Sequence, residues 1–591
     1  MQEPLDIPYE TGFYLHIDFG EKHKLINRRG NEHVIRTKNW AAGIEIFSQA
    51  KLLRFERQKA ACILFGDLVS GKIDGNFISS FRKDPLKTAK TLNGSWAFVF
   101  FDLLSSEIKI VTDRINSRPL FMHVSPEKKE VIISSTLHRF PNELRHPDWA
   151  GVGWKLCNGV TYSSRTVYKD VHKLRRSSVY DFSRGSASCQ MYWDLIFSGR
   201  LAGKSVNSLK KDYSDLLRLA VKRRIPDEFP ALIALTGGYD STCIFGVLSE
   251  ELKSNELVCL SFEMPASRKD SDAFAAKSMA EKKGFPHHTI SSYDGNMLKT
   301  LALNASQCEG ISNFCDEAQG WERVRQMFPQ IKALFAGFCY SGWAHNKCRR
   351  IEDVLDLCAI RDSKGLSRFS GFFKEKTAKK MADGIENDLK NIIEKTPGER
   401  LEDKRDYLYY DQRFNNFILP WNSFFWERDF SIKAPLLDND IIDFVAQLPF
   451  EMRNGKYLFR ETSQSMFPGL YAIPRARTSN YSPNWRKELS LKKEALMQRL
   501  QAQKHNPLSD AWEYPSFLRL IQYLFQRLSG ADYRKPVYKN ARKIMRKFPE
   551  TKVFLRRFFP LILDEAMVLL SLLTLFGFVF DINYMEEDTN I

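Results

Sequence analysis

Five apolar residues, Ala231 to Leu235, pass without a break into Thr236-Gly237-Gly238-Tyr239-Asp240-Ser241-Thr242, and a helical pattern runs on from Ser241 to Leu252. This succession of strand, glycine loop and helix constrains the fold more than any other part of the chain. A strand that is apolar along its whole length is buried on both faces, the condition of a parallel sheet covered by helices. Further short runs follow at Leu257 to Phe262 and Lys332 to Phe335, with a helical pattern from about Ser271 to Lys283 between them. Buried strands alternating with helices predict a parallel α/β sheet.

The loop has its own chemistry. Paired glycines let a backbone turn sharply and come close to a ligand. Their N–H groups and those of the first helical turn form a nest for an anion, reinforced by the helix dipole. Thr236, Ser241 and Thr242 add hydroxyls. Asp240 repels phosphate, so it is read as a Mg²⁺ ligand or as an acceptor that positions the loop. No Gly-Lys-Ser/Thr follows, which excludes a Walker A loop. The alternative is a Gly-Gly turn whose Asp and Ser cap a helix.

Before this point the texture differs. Up to about Asp194 the chain reads as short strands and turns, with Ala97 to Asp102 and Glu107 to Val111 forming a hairpin across Ser105-Ser106. Glu130 to Ser134 is expected to continue that meander. Lys210 to Arg224 reads as an amphipathic helix. A chain of 591 residues is too long for one ordinary core. Three regions are expected: an N-terminal domain over 1–200, a nucleotide-binding domain over 201–485 and a basic helical extension over 486–591. The 15-residue run Ala566 to Phe580 is shorter than the roughly 20 apolar residues a bilayer requires. It reads as a buried C-terminal helix, with peripheral membrane contact as the alternative. The ten cysteines include no C-x-x-C pair, as expected of free thiols in a reducing compartment. With no secretory signal visible at the N-terminus, a cytoplasmic location is expected. The formal charge of +17 suggests an anionic partner, with ATP and pyrophosphate able to use part of that charge and a nucleic-acid or membrane surface the rest. No zinc-finger spacing, RNA-binding aromatic signature or Arg/Gly tract points to specific nucleic-acid binding.

The loop resembles the S-G-G-x-D-S pyrophosphate loop of ATP pyrophosphatases, with Thr236 for the first serine. Other motifs widen the likeness. Leu92-Asn93-Gly94-Ser95-Trp96-Ala97-Phe98, Asp113-Arg114 and Arg118-Pro119-Leu120-Phe121 are similar to the L-N-G-x-F-A-F and D-R-x-G-x-x-P-L-Y motifs of the asparagine synthetase family. Asn158 to Tyr162 and Tyr192-Trp193 match the end of that family's N-terminal domain. Lys433 to Asp438 resembles R-x-P-F-L-D, and Lys456 to Arg460 resembles the G-K-x-x-L-R stretch. The resemblance implies an Ntn-hydrolase-like α+β sandwich followed by an ATP-pyrophosphatase domain with a helical C-terminal extension. It also implies ATP and Mg²⁺ as cofactors. On it, Leu235, Thr236, Gly237, Gly238, Asp240, Ser241, Thr242, Met264, Ala336 and Gly337 are the nucleotide-binding positions, with Asp240 on the metal.

The departures from the family pattern shape the functional expectation. Members that hydrolyse glutamine use a cysteine directly after the initiator Met; here Gln2 stands there, and a primary amide cannot replace a thiolate. That state resembles β-lactam synthetases and lasso-peptide cyclases, where the substrate supplies its own amine. The family's S-G-E-G-x-D-E reads Ala336-Gly337-Phe338-Cys339-Tyr340-Ser341-Gly342, so Phe338 replaces an acid and Ser341 a Mg²⁺-binding carboxylate. Tyr340 is the candidate for the phenol that β-lactam synthetases carry at the Phe338 position. The family's catalytic lysine falls on Arg477, which keeps the charge and can clamp phosphate but cannot lose a proton. A second carboxylate is expected before Lys433, with Asp411 and Glu427 both open as candidates.

The expected reaction is therefore attack of a substrate carboxylate on the α-phosphorus of ATP, then capture of the acyl-adenylate by an amine. The expected partner is a peptide or small molecule bearing the carboxylate, together with a partner biosynthetic protein or a second copy of the chain. A catalytically degenerate scaffold and an ammonia-dependent amidation of a glycan or amino-acid carboxylate are the alternatives. With Gln2 at the nucleophile position, incubation with glutamine is expected to release no glutamate above an enzyme-free blank; measurable glutamate would refute the inactive-glutaminase reading.

Overall fold

A computed structural model describes residues 11–20, 33–183, 186–263, 271–338, 348–475, 483–503, 506–529, 564–582 and 584–585. Its N-terminal region contains strands β1 (Phe13–Asp18), β2 (His33–Arg36), β3 (Ala41–Ile46), β4 (Ala50–Phe55), β5 (Ala60–Ser70), β6 (Asn93–Asp102), β7 (Glu107–Thr112), β8 (Phe121–Ser125), β9 (Glu130–Ser134), β10 (His172–Lys173), β11 (Ser178–Ser183) and β12 (Ser186–Met191). They form two antiparallel sheets, ordered β10-β8-β9-β1-β3-β2 and β12-β11-β7-β6-β5-β4. Alternate residues of each strand enter the space between the sheets. Phe13, Leu15, Ile17 and Ile44 of one sheet meet Ile63, Phe65, Val99 and Phe101 of the other.

β5 and β6 are apolar on both faces because their outer face is covered as well. The helix Gly75–Lys83, started by Asp74 accepting from Phe77 N at 2.9 Å, lays Phe77 and Phe81 against Phe98. The helix Trp149–Asn158 packs in one core with Tyr14, Phe121 and Ile132 on the outer face of the first sheet. The result is helix, sheet, sheet, helix. The hairpin between β6 and β7 forms as expected, with Asp102 opposite Glu107. The expected meander does not continue into β9, which pairs with β1 and β8 in the other sheet. The reason lies just after β7. Asp113 accepts hydrogen bonds from Trp96 N, Ile115 N and Ser117 N, folding the chain into a tight turn that leaves the sheet.

The second region is a five-stranded parallel sheet, β15-β14-β13-β16-β17, from β13 (Ala231–Ala234), β14 (Leu257–Glu263), β15 (His287–Ser291), β16 (Ala333–Phe335) and β17 (Ser431–Lys433). The strands leave β13 in one direction and return on its other side through β16. That reversal creates a crevice at the carboxyl ends of β13 and β16, where open α/β sheets bind ligands. The described residues of the long segment between β16 and β17 are largely helical and include Glu375–Glu394, Leu401–Leu408 and a π-helical stretch, Tyr409–Ile418. It packs back on the N-terminal region: Trp154 Nε1 donates to Asp388 Oδ2 at 2.8 Å, and Arg165 pairs with the same carboxylate.

The apolar C-terminal run forms the helix Glu565–Val579, capped by Asp564 accepting from Ala566 N at 3.0 Å. A helix apolar on every side has to be interior. This one lies against Met297–Gln307, Tyr514–Ser529 and Trp149–Asn158, and Phe578 stacks on Tyr168 at 5.8 Å. Among the described residues, no helix is long and apolar enough to cross a membrane. The strongly basic stretch from Arg534 to Arg557 lies outside the described residues.

Removing the chain from Ala566 onward is expected to give insoluble or unfolded protein, because it uncovers the face that this helix seals. A finer probe is Gly577→Val. A Cβ on Gly577 would lie 2.5 Å from the Cβ of Ala305 and 2.7 Å from the Tyr584 ring. Overpacking of this kind is expected to cost about 1–3 kcal/mol, read as a lower midpoint in thermal or urea unfolding. An unchanged midpoint would place the helix outside the core.

Candidate active site

The helix after β13 begins at Tyr239, two residues earlier than its apolar pattern indicates, so Tyr239 and Asp240 belong to its first turn. Gly238 is the N-cap, with φ −76° and no side chain to satisfy the helix amides. Its conformation is open to any residue, so glycine serves here to leave space. A Cβ at Gly238 would meet only the Thr236 hydroxyl, at 3.1 Å. Gly337, after β16, is the tighter position, since a Cβ there would lie 2.8 Å from Ser241 N. Ala336-Gly337 and the loop therefore form two adjoining walls of the crevice.

Hydrogen bonds fix the loop. Thr236 N donates to Ser241 Oγ at 3.2 Å, the two hydroxyl oxygens of Thr236 and Ser241 lie 3.0 Å apart, and Gly238 N donates to Thr236 Oγ1 at 3.1 Å. Gly237 N donates to Asp272 Oδ1 at 2.9 Å. Burial pushes the Asp272 carboxyl above its usual range, and this Gly237 contact works against the shift. Thr242 turns inward, its hydroxyl donating to Gly238 O at 2.6 Å, so it braces the loop. Leu235 is buried and holds register with Leu260 O at 2.8 Å. With the Gly237 and Gly238 amides engaged, the amides of the first helical turn, which have no intrahelical acceptor, are the backbone donors this loop can offer an anion.

Cations surround this turn. Lys456 Nζ donates to both oxygens of Asp240, at 2.9 and 2.7 Å. Arg475 Nη1 donates to Gly237 O at 3.0 Å, and its guanidinium lies 3.4 Å from the centre of the Tyr239 ring. Tyr471 stacks on the same ring at 5.3 Å and donates its hydroxyl to Tyr239 O. Arg460 lies 5.0 Å from the ring. Lys456 and Arg460 stand in a motif that the family resemblance covers without giving them a role, and no motif assigns a role to Arg475 or Asp272. The signal for Asp272 was available: it opens the helix after the strand next to β13. Arg477, Tyr340, Ser341 and Met264 lie outside the described residues.

The two carboxylate candidates sit elsewhere. Glu427 is buried and ion-paired with the fully buried Arg118 of the N-terminal region at 2.5 Å. Asp411 accepts from Arg176 Nε at 2.6 Å and from Gln412 Nε2 at 2.7 Å, on the wall of a separate cavity between the two regions. Phe338 packs against Trp426 at 5.3 Å and Phe414 at 6.5 Å, so an aromatic cluster occupies the position of the family's acid.

Residues 77–193 match the model of the glutamine amidotransferase domain, and residues 212–320 match that of asparagine synthase. Over 177 residues the chain is 28% identical to a Methanocaldococcus jannaschii protein provisionally named as a glutamine-hydrolysing asparagine synthetase, covering 29% of this chain and 34% of that one. It is 23% identical over 220 residues to amidase chry2 of Gibberella zeae (36% and 31% of the two chains). It is also 23% identical over 207 residues to the asparagine synthetase domain-containing protein YML096W of Saccharomyces cerevisiae (33% and 35%). The chain thus spans about a third of the length of these relatives. Two matched domains in this order, on an antiparallel sandwich followed by a parallel sheet, make the chain similar to the asparagine synthetase family over these residues.

Proposed function

We propose that this chain is an ATP-dependent ligase that adenylates a substrate carboxylate and passes the acyl group to an amine, without hydrolysing glutamine. The observation that carries the reading is the uncapped helix start at Gly238, at the crevice where the sheet reverses, ringed by Lys456, Arg475 and Arg460. Helix-turn amides, two hydroxyls and three cations form the donor set for a polyphosphate. For Mg²⁺ the fit is partial. Mg²⁺ in nucleotide sites takes one or two carboxylates plus phosphate oxygens, and Asp240 is the carboxylate on this turn. Lys456 now holds both of its oxygens, so a bound metal requires Lys456 to move on to phosphate. When bound, the metal supplies Lewis-acid stabilisation of phosphate charge.

The rest is positioning. The amides of the first turn orient the β- and γ-phosphates, and Thr236 and Ser241 direct their hydroxyls toward them. A carboxylate attacks the α-phosphorus in line, the bond to pyrophosphate breaks, and an amine then displaces AMP from the acyl carbon. Arg475 and Arg477 stabilise the leaving pyrophosphate, and the proton lost by the amine passes to water or substrate. The amine comes from the substrate or from ammonia. Cys189 is the exposed cysteine among those described, and burial raises the thiol of Cys62. The packing of Phe338 against Trp426 favours a second reading, a degenerate synthetase kept as a scaffold, because an aromatic ring stands where the resemblance puts an acid.

Three variants separate the readings. Gly337→Val forces the loop off Ser241 and is expected to abolish MgATP binding by calorimetry. Lys456→Met, which frees Asp240 and removes a phosphate contact, is expected to weaken it at least tenfold. Arg477→Ala is expected to slow pyrophosphate release about 10²–10³-fold while ATP affinity stays within a few fold, since charge on pyrophosphate grows in the transition state. MgATP binding with no pyrophosphate release across a panel of peptide, amino-acid and glycan carboxylates would select the scaffold. No ATP binding at all would reject both readings.

A further inference from the structure

The helix Ala318–Met327 leads into β16, so its start stands at the carboxyl ends of the parallel strands, on the rim of the crevice. Gly320 lets it sit close. A Cβ there would lie 2.7 Å from the Phe262 ring and 3.1 Å from Ser292 Cα, at the ends of β14 and β15. Trp321 of this helix packs edge-on against Phe262 at 4.8 Å and lies 4.4 Å from Trp426, which meets Phe338 at 5.3 Å. An aromatic ridge therefore runs from the end of β14 to the end of β16. It belongs to the core on the sheet face opposite the helix Tyr239–Glu251.

Glu317 stands at the head of this helix without capping its amides. Its Oε2 accepts from Trp321 Nε1 at 3.3 Å. Among the described residues nothing donates to its Oε1 and no cation pairs with it, and the residue is only half-buried, so that oxygen stays open. Phe262 and Phe338 also keep part of their surface open. Burial, with the adjacent Asp316, raises the Glu317 carboxyl to about 7, and the Trp321 contact opposes the rise. Asp316 is the one charged group acting on it; β14 and the segment before β17 bring the rings of Phe262 and Trp426 to this helix, not charges. A carboxylate on an apolar wall, with an open oxygen and no counter-charge, is the complement of an ammonium group.

We infer that Glu317 receives the amine substrate, holding its ammonium group at Oε1 while the carbon chain lies along Phe262 and Phe338. The inference rests on the ligase reading above and narrows it from any amine to an organic one, because ammonia has no apolar part to place on the ridge. It also supplies the crevice with an acid from a neighbouring element, where Phe338 replaces the one the family resemblance expects.

Calorimetry of the full chain with butylammonium as the probe, alone and with MgATP, tests this against 1-butanol, butyrate and ammonium ion. Butylammonium is expected to bind at least tenfold more tightly than each control. Glu317→Gln keeps the size of the side chain and an acceptor for Trp321; it is expected to weaken that binding at least tenfold, with the unfolding midpoint and MgATP affinity within a few fold of the unaltered chain. Affinity for butylammonium should rise with pH through about 7, where Glu317 loses its proton while the alkylammonium keeps its own, and the Gln variant should show no such rise. Glu317→Asp, which withdraws the charge by one methylene, answers the same question where the Gln variant fails to fold: weaker binding is expected, with the rise retained. Three results would each overturn the inference: no binding of butylammonium, a control binding as tightly, or a folded Glu317→Gln protein with unaltered affinity and pH profile. Failure to bind MgATP while butylammonium still binds through Glu317 would refute the ligase reading and keep the ammonium site.

Discussion

Asp438 has no measurable exposure, yet it carries a charge, and the joining of the two halves depends on how that charge is met. Burial by itself would raise its carboxyl, but Arg224 and Arg223 outweigh that and hold it below the usual range. Both arginines come from the end of the helix Val206–Lys222 and the residues after it, while Asn93 of β6 donates to the same carboxylate at 3.2 Å. An isolated charge in such a place would cost several kcal/mol, and only a complete set of partners makes it tolerable. The neighbouring contacts follow from this seating. Asn439 reaches Leu92 O, Arg114 pairs with Asp443, and Arg118 with Glu427. The parallel sheet is thereby fixed against the sandwich, which sets the direction of the crevice above β13.

This arrangement explains which parts of the sequence could be read. The motifs Leu92 to Phe98, Asp113-Arg114, Arg118-Pro119 and Lys433 to Asp438 carry the family resemblance, but most of their polar residues serve the seam between the halves. Glu427 shows the same limit: spacing made it a candidate for chemistry, and its buried partner Arg118, 309 positions earlier in the chain, makes it part of the seam. Local patterns served well where local physics decides the outcome. The apolar strand, the loop and the helix after it were legible because burial on two faces and a helix start are written in adjacent residues. Contacts between distant segments were not. Lys456 on Asp240, Asp272 on Gly237 and the switch of β9 into the other sheet all depend on partners that no window of the sequence contains.

The crevice is assembled with opposing charges already paired. Lys456 neutralises Asp240, and Arg475 is held over Tyr239 while its Nη1 donates to Gly237 O. On the proposed reading, both contacts are exchanged for phosphate when a nucleotide enters, so the cations need little reorganisation. Phe338, Trp426 and Phe414 form a dry wall on the β16 side. A low-dielectric wall strengthens electrostatic contacts beside it, whichever substrate the crevice accepts.

The helix Glu565–Val579 has a consequence for the order in which the protein is made. His138 and Tyr168, which receive Phe578, lie more than 400 residues upstream of it. Synthesis proceeds at about 5–20 residues per second, so the sandwich waits on the order of tens of seconds with that face exposed before its last covering element leaves the ribosome. During that interval the nascent chain presents a hydrophobic surface that its own sequence cannot yet hide.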